Sequence, residues 1–283
     1  MRFVAVGDVM VDVMALEAPA PGSRIHAAVH LRAGGSAANA AVWATALGAS
    51  AAVVGRVGAD PAGELVAQVL TERGIETHLA RDPDLPTGAA VAVGVGASAG
   101  VVAFPGASAR LAPDDVPDPL DGDTLLVSGF SLLQKASADG ARAALDRFAG
   151  RWAGVDLASP SLAAAAASHL DELAAGANVV LATAEEARAV TGAEPEEAAR
   201  ALAARFVVAC VKLGERGAVA AQGDRIERTT GEAVIRRSRF GAGDAFAAAL
   251  LVALAADESL DRALSLACGA GARAAASEDG WPA

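Results

Sequence analysis

Gly241-Ala242-Gly243-Asp244 runs straight into Ala245-Phe246-Ala247-Ala248-Ala249-Leu250-Leu251 near the end of a 283-residue chain. The two glycines permit a tight turn and leave backbone N–H groups uncovered. The alanines and leucines that follow favour helix, which places those N–H groups at a helix N-terminus. Such an end attracts anions, because its first amides lack intrahelical partners and the dipole adds partial positive charge. Asp244 puts a carboxylate beside that hole. An anion cradle with an adjacent base suits phosphoryl transfer to an alcohol. The same residues also read as a plain loop with an Asp N-cap, so the rest of the chain has to choose.

Working outward, the pattern predicts a helix over 242–256 and another over 260–276. Short β-rich runs occur at 3–6, 51–57, 124–127, 155–157, 179–181 and 207–213. Helical patterns at 36–47, 62–73, 137–148, 161–175, 184–191 and 195–205 separate most of them. Gly48 and Gly74 close the first two of these as C-caps. Strand alternating with helix implies an α/β protein with a largely parallel, covered sheet. Segments 24–31 and 89–104 break the rhythm, with strands but no helix between them. They are expected to form a small accessory sheet that acts as a lid.

Composition narrows the function. The chain is 53% apolar, enough for a sizeable core, and no repeat or low-complexity linker divides it. Aromatics are 4% and tyrosine is absent, which argues against a stacking platform for single-stranded nucleic acid. A net charge of −11 argues against a nucleic-acid backbone as partner. Cys210 and Cys268 lie far apart in apolar runs and are expected to be buried free thiols. The chain opens on a strand pattern and has no long uncharged apolar window, so a cytoplasmic protein with no membrane partner is expected.

Four glycine-rich segments then fall in order: Gly34-Gly35-Ser36-Ala37-Ala38-Asn39; Gly55-Arg56-Val57-Gly58-Ala59-Asp60 with Gly63; Val211-Lys212-Leu213-Gly214-Glu215-Arg216-Gly217; and Gly241-Ala242-Gly243-Asp244-Ala245-Phe246. In that order and spacing the chain resembles the ribokinase-like carbohydrate kinases, the PfkB family, over nearly its whole length. The resemblance implies a single domain over 1–283, a Rossmann-type three-layer α/β/α fold with a small β-sheet lid from about 13–33 and 88–106. It implies transfer of the ATP γ-phosphoryl group to a sugar or nucleoside hydroxyl, with Mg²⁺.

By the same resemblance Asp244 is the catalytic base, and Gly241, Ala242 and Gly243 form the anion hole. Gly34 and Gly35 let the backbone approach the substrate. Asp12 and Asn39 bind its hydroxyls, the carboxylate accepting and the amide donating. Lys212, Gly214, Gly217 and Thr183 line the nucleotide site, and Glu186 acts on Mg²⁺ through water. Plainer readings stand beside three of these: Asp12 as a solvated strand end, Lys212 as a strand end, Glu186 as a first-turn helix acid. Phe104, Arg32, His30 and Arg110 are candidates to face the acceptor. The lid lacks a dense basic cluster, which favours an unphosphorylated acceptor over a sugar phosphate. Open lid edges suggest a homodimer through the lid.

Departures from the family pattern are specific. Ser238-Arg239-Phe240 replaces the usual Asp-Thr-Thr and supplies fewer oxygen ligands, which counts against monovalent-cation activation. Thr183 stands for the Asn of an Asn-x-x-Glu motif, Ala249 for a glycine, and Trp281 for a small or basic residue. The first of these motivates a rival, a sugar- or nucleoside-binding sensor without turnover. Retention of Asp244 and the glycines counts against it. Gly96-Ala97-Ser98-Ala99-Gly100, with Asp156 and His169 following, matches a hydrolase elbow, but a strand pattern rather than a helix follows the serine. No Gly-x-Gly-x-x-Gly follows the first strand and no P-loop occurs. His26 and His30 lack a third metal ligand.

Overall fold

The computed structural model describes residues 1–15, 17–20, 22–94, 100–238 and 240–282. Nine strands form the main sheet: β1 (Arg2–Val6), β4 (Ser50–Gly58), β5 (Glu76–Asp82), β8 (Thr124–Ser128), β9 (Trp152–Asp156), β10 (Val179–Thr183), β11 (Val208–Lys212), β12 (Ala218–Gln222) and β13 (Arg225–Thr229). Their order is β13-β12-β11-β10-β9-β8-β1-β4-β5. All neighbours are parallel except at β11-β12-β13, which are antiparallel.

The layers follow from side-chain alternation along the strands. Phe3 and Ala5 of β1 face one core, with Val53 of β4 and Leu181 of β10. That core is closed by α1 (Ser36–Ala46), α2 (Pro61–Glu72), α9 (Ala242–Ala255) and α10 (Leu260–Ala276). Val4 and Val6 face the other, with Leu125 and Val127 of β8. It is closed by α3 (Gly129–Leu133), α4 (Ala138–Arg147), α5 (Pro160–Ala166), α6 (Leu170–Gly176), α7 (Ala184–Thr191) and α8 (Pro195–Ala203). Both faces of the sheet are covered, as the unbroken apolar strands require. This is the expected three-layer α/β/α arrangement.

A second sheet has the order β3-β2-β6-β7, from β2 (Met10–Ala15), β3 (Val29–Gly34), β6 (Thr87–Val93) and β7 (Gly100–Gly106). β2 follows directly from the end of β1 and pairs with β3 so that Met10 lies opposite Gly34 and Ala15 opposite Val29. That register corrects the strand expected over 24–31, which starts later and runs to Gly34. The segment expected to hold strands over 89–104 is two antiparallel strands, β6 and β7. Residues 95–99 of the Gly96-to-Gly100 motif lie outside the described residues.

Other differences have local causes. β5, β12 and β13 were not anticipated: the edge strands β5 and β13 carry the mixed polar sequences ETHLARD and RIERT, and β12, just inside β13, is the alanine-rich AVAAQ, which carries little β signal. The helix expected over 161–175 is two, α5 and α6, joined by a tighter turn at Ala167–His169. Asp244 does not cap α9. Gly241 does, in the left-handed conformation at φ 86°, and Asp244 falls in the first turn.

Chain direction fixes where a ligand sits. From central β1 the chain winds outward to β4 and β5, then returns to the other flank at β8. A crevice opens at such a switch, outside the carboxyl ends of the strands. Those ends carry Asp8 after β1, Ser128 on β8, Asp156 on β9, Thr183 on β10 and Lys212 on β11. Among the described residues, no helix is long and apolar enough to cross a membrane.

Candidate functional site

Asp244 enters the crevice from the first turn of α9. Asn39, in the second turn of α1, donates from Nδ2 to Asp244 Oδ2 at 2.8 Å. The Asn39 Oδ1 accepts from Arg32 Nη1 at 2.9 Å and from the Trp281 indole Nε1 at 2.8 Å. Arg32 in turn reaches Asp12, with Nη2 2.8 Å from Oδ2. Both of those side chains are buried. Asp12, Arg32, Asn39, Trp281 and Asp244 thus form one connected polar cluster.

Two glycines make room for it. A Cβ on Gly34 would lie 2.2 Å from Asp12 Cγ, so only glycine fits opposite that carboxylate. Gly35 sits at φ 90°, and a Cβ there would lie 2.3 Å from Asp8 O. The close approach lets Ala37 N donate to that oxygen and start α1. Asp8 is buried too, and its Oδ2 accepts from Ser128 Oγ at 3.0 Å and Ser36 Oγ at 3.3 Å. A small cavity lined by Ser36, Ser128, Phe130, Asp156 and Asp244 adjoins the cluster.

Burial sets the protonation of the carboxylates. Asp244 is pushed up to about 7, chiefly by desolvation. Repulsion from Asp156 and Asp12 adds to the rise, while the Asn39 hydrogen bond and the Lys212 charge oppose it. Asp12 is pushed up to about 6 by burial, with Arg32 opposing. A base that titrates near neutral pH can both take and release a proton.

A larger cleft of about 780 Å³ lies on the other side, lined by Thr183, Glu186, Lys212, Gly214, Gly217 and the Gly241-to-Gly243 turn, among others. Its size is in the usual range for a small-molecule site. Lys212 ends β11, and its Nζ donates to Asp156 Oδ1 at 2.5 Å and Oδ2 at 2.7 Å. Burial alone would lower the lysine pKa, but the charges of Asp156 and Glu186 outweigh it and the net shift is upward. The ammonium therefore stays charged. It also lies 3.7 Å from where a Cβ on Gly243 would be, beside the first turn of α9.

Thr183 and Glu186 cap α7 reciprocally. Thr183 Oγ1 accepts from Glu186 N at 3.3 Å, and Glu186 Oε2 accepts from Thr183 N at 2.8 Å. The plain reading of Glu186 as a helix-start acid is thus realised. The carboxylate is also buried on the cleft side, with its pKa raised by desolvation. Gly217, at φ 93°, lies so close to Thr229 O that a Cβ would be 1.9 Å away, so its glycine serves the β11-to-β12 turn. Gly214 takes φ 63° in open space.

The remaining candidates lie elsewhere. Phe104 is 54% exposed on edge strand β7 and no described contact joins it to the cluster. Arg110 is half exposed beside Asp82 and Asp84. His26 and His30 are exposed. Both cysteines are buried and free. Among the described residues no group of three His, Cys, Asp or Glu is placed to hold a metal. A nucleotide-bound Mg²⁺ needs only one or two carboxylates beside phosphate oxygens and water, and Glu186, whose Oε1 makes no hydrogen bond among the described residues, fits that lesser demand. Ser238 Oγ accepts from Phe240 N at 3.1 Å, so the hydroxyl that replaces the usual Asp is turned onto its own loop.

Sequence reasoning missed the Asp156 partner of Lys212 and the Trp281 contact with Asn39. Asp156 had a signal, since it ends an apolar strand as Lys212 does. Trp281 was visible only as a departure from the family pattern.

Comparison with known proteins identifies the family. Residues 2–280 match the family model described as pfkB family carbohydrate kinase. The chain is 30% identical to a fructokinase of Klebsiella pneumoniae over 83% of this chain and 80% of the relative. It is 31% identical to a 2-dehydro-3-deoxygluconokinase of Thermoproteus tenax, over 96% and 87%. Its fold matches that of adenosine kinase from Sinorhizobium meliloti with a TM-score of 0.86 at 23% identity, covering 99% of this chain and 95% of that one. The chain belongs to the pfkB family of carbohydrate kinases.

Proposed function

We propose that this protein transfers the γ-phosphoryl group of ATP to a hydroxyl of a small unphosphorylated sugar or nucleoside. One observation carries the reading: the Asp244 carboxylate, titrating near 7, stands in the first turn of α9, next to the Gly241-to-Gly243 backbone that caps the helix. Asp244 accepts the hydroxyl proton as the acceptor oxygen bonds to the γ-phosphorus. The bond from that phosphorus to the bridging oxygen breaks, and ADP leaves. The amides of Gly241, Ala242 and Gly243 hold the charge that develops on the phosphoryl oxygens. Lys212 adds a fixed positive charge beside them. Mg²⁺, when bound near Glu186, neutralises nucleotide phosphate charge.

The acceptor side supports a hydroxyl-bearing ligand. Asp12 Oδ2 faces Arg32 Nη2 at 2.8 Å, whereas Asp12 Oδ1 receives no hydrogen bond among the described residues and has capacity to accept one. Arg32 is paired with Asp12 and bonded to Asn39, yet its Nε and Nη2 make no hydrogen bond among the described residues, so the reading of an unphosphorylated acceptor rests on the absence of a dense basic cluster on the second sheet. The second sheet is the proposed lid, with Phe104 closing on the acceptor. Its exposed Val29, Leu31 and Val102 support a homodimer through that sheet, which sedimentation would test.

The test is ADP release from Mg·ATP across a panel of sugars, sugar phosphates, aldonic acids and nucleosides. Saturable turnover on an unphosphorylated sugar or nucleoside is expected. A strong preference for a sugar phosphate, or binding without any turnover, would contradict the reading.

A further inference from the structure

Beyond Ala276 the chain folds back across the start of α1. Trp43 Nε1 donates to Gly280 O at 2.9 Å, and Gly280 N donates to Ser277 Oγ at 2.6 Å. Gly280 O lies 2.8 Å from where a Cβ on Gly241 would be, so this segment abuts the cap of α9. The next residue, Trp281, is 3% exposed. Two guanidinium groups lie over its ring, Arg32 at 4.8 Å and Arg73 at 4.5 Å from the ring centroid. Its Nε1 donates to Asn39 Oδ1.

An amide oxygen accepts two hydrogen bonds, and Asn39 Oδ1 receives two, from Trp281 and Arg32. A flipped amide would turn Nδ2 against two donors and Oδ1 against the Asp244 carboxylate. The two donors therefore decide which way Asn39 faces. Indole N–H is donor only, so its direction is unambiguous.

We infer that Trp281 is a positioning residue for the phosphoryl-transfer site: its indole N–H, together with Arg32, holds the Asn39 amide so that Nδ2 is delivered to Asp244. The role of the delivered bond rests on the proposed function, whereas the delivery itself rests on geometry alone. One consequence concerns the acceptor. With both lone pairs of Oδ1 filled, Asn39 offers a substrate only its second N–H, and hydroxyl protons go to Asp12.

Removing the indole N–H leaves Arg32 as the one remaining donor to Oδ1, which loosens the amide and weakens its bond to Asp244. Desolvation then acts with less opposition. Asp156 and Asp12 disfavour the ionised form, Lys212 and Arg32 favour it, and none of these four is altered. The midpoint of Asp244 therefore rises.

The test is Trp281→Phe, which keeps an aromatic ring beside the guanidinium groups and lacks the donor. Carboxyl ¹³C NMR follows the aspartates of the ligand-free full chain through a pH titration, with Asp244 assigned by its loss in Asp244→Asn. The expected result is an upward shift of the Asp244 midpoint by ~0.5–1 pH unit, since a hydrogen bond to the charged form is weakened. In turnover the acid limb of kcat/KM moves the same way, so the loss at neutral pH is recovered at alkaline pH. A general weakening of the fold would not do that. An unchanged Asp244 midpoint in the folded variant would overturn the inference. If the Phe variant does not fold, benzothienylalanine at position 281, with sulfur in place of N–H at nearly equal volume, decides by the same titration. A wild-type chain with no turnover on any acceptor would sink the kinase reading, yet the titration would still decide the role of Trp281.

Discussion

On one side of Asp244 the site is made of backbone and short-range turns. Gly241 to Gly243 open α9, Gly214 to Gly217 turn β11 into β12, and Thr183 with Glu186 caps α7. On the other side it is made of side chains joined across the chain. Asn39 meets Asp244 over 205 residues of sequence and Trp281 over 242. The first side is an open cleft with spare donors, as a ligand that brings many phosphate oxygens requires. The second side is knit together by the Asp12–Arg32 ion pair and the hydrogen bonds of Asn39, which fix where its remaining polar atoms stand. In the proposed reaction the nucleotide takes the first side and the acceptor the second, which fits general charge on one and a fixed pattern of donors and acceptors on the other.

The difference can be broken from either side. Gly34→Ala should have the largest effect. Its Cβ would strike the Asp12 carboxylate, which is buried and paired with Arg32 and cannot step aside. Displacing that carboxylate by about an ångström should raise acceptor KM roughly 10²-fold, with nucleotide affinity unchanged by calorimetry. Equal losses for both ligands would show that the two sides are not separate.

Lys212→Met attacks the cleft. It strands Asp156, whose side chain is only 16% exposed, and should cost about 3 kcal/mol of stability by denaturant unfolding. Nucleotide binding should be lost while acceptor binding survives. Burial has raised the folded pKa of Asp156, and removing the lysine raises it further. The stranded ionised form thus penalises stability as pH climbs above the unfolded aspartate value. The variant should regain stability toward acid pH, relative to wild type, as Asp156 protonates.

Activity should follow the ionisation of Asp244. The base is inactive when protonated, so kcat/KM should climb with pH through about 7 and level off above it. A flat profile from pH 5 to 8 would remove Asp244 from the proton transfer. Phe104→Ala should have the smallest effect on the fold, within ~0.5 kcal/mol, because the ring is on the surface. It should still raise acceptor KM several-fold if the second sheet closes as proposed, and leave it unchanged if that sheet is only a brace.

The same contrast explains what was legible in the sequence. Gly34, Gly35, Gly217 and Gly241 announce themselves because a turn or a close approach excludes every other side chain there. Alternating strand and helix gave the covered sheet, and Asp244 follows from its place after Gly241. The edge strands β5 and β13 stayed hidden because half-exposed polar residues leave no strong alternation. Lys212 was seen at a strand end, but its bond to Asp156 depends on β9 and β11 flanking β10, which local pattern does not specify. Arg32 was read as one of several candidates to face the acceptor, and only three-dimensional packing revealed its contacts with Asp12, Asn39 and Trp281. Trp281 lies far from every glycine motif it serves, except in space.

The most direct test of the account compares Asp244→Asn with wild type under saturating Mg·ATP and the acceptor that the panel identifies. The amide still accepts from Asn39 and keeps the shape of the site, but cannot take a proton. The account predicts kcat lower by roughly 10²–10⁴-fold, with nucleotide and acceptor affinities within a few-fold of wild type. At pH 8 the variant should be at least as stable as wild type. Burying the ionised carboxylate is unfavourable, and that penalty fades as pH falls from about 7 toward the unfolded value of 3.8. Turnover within tenfold of wild type would contradict the assignment of Asp244 as the base.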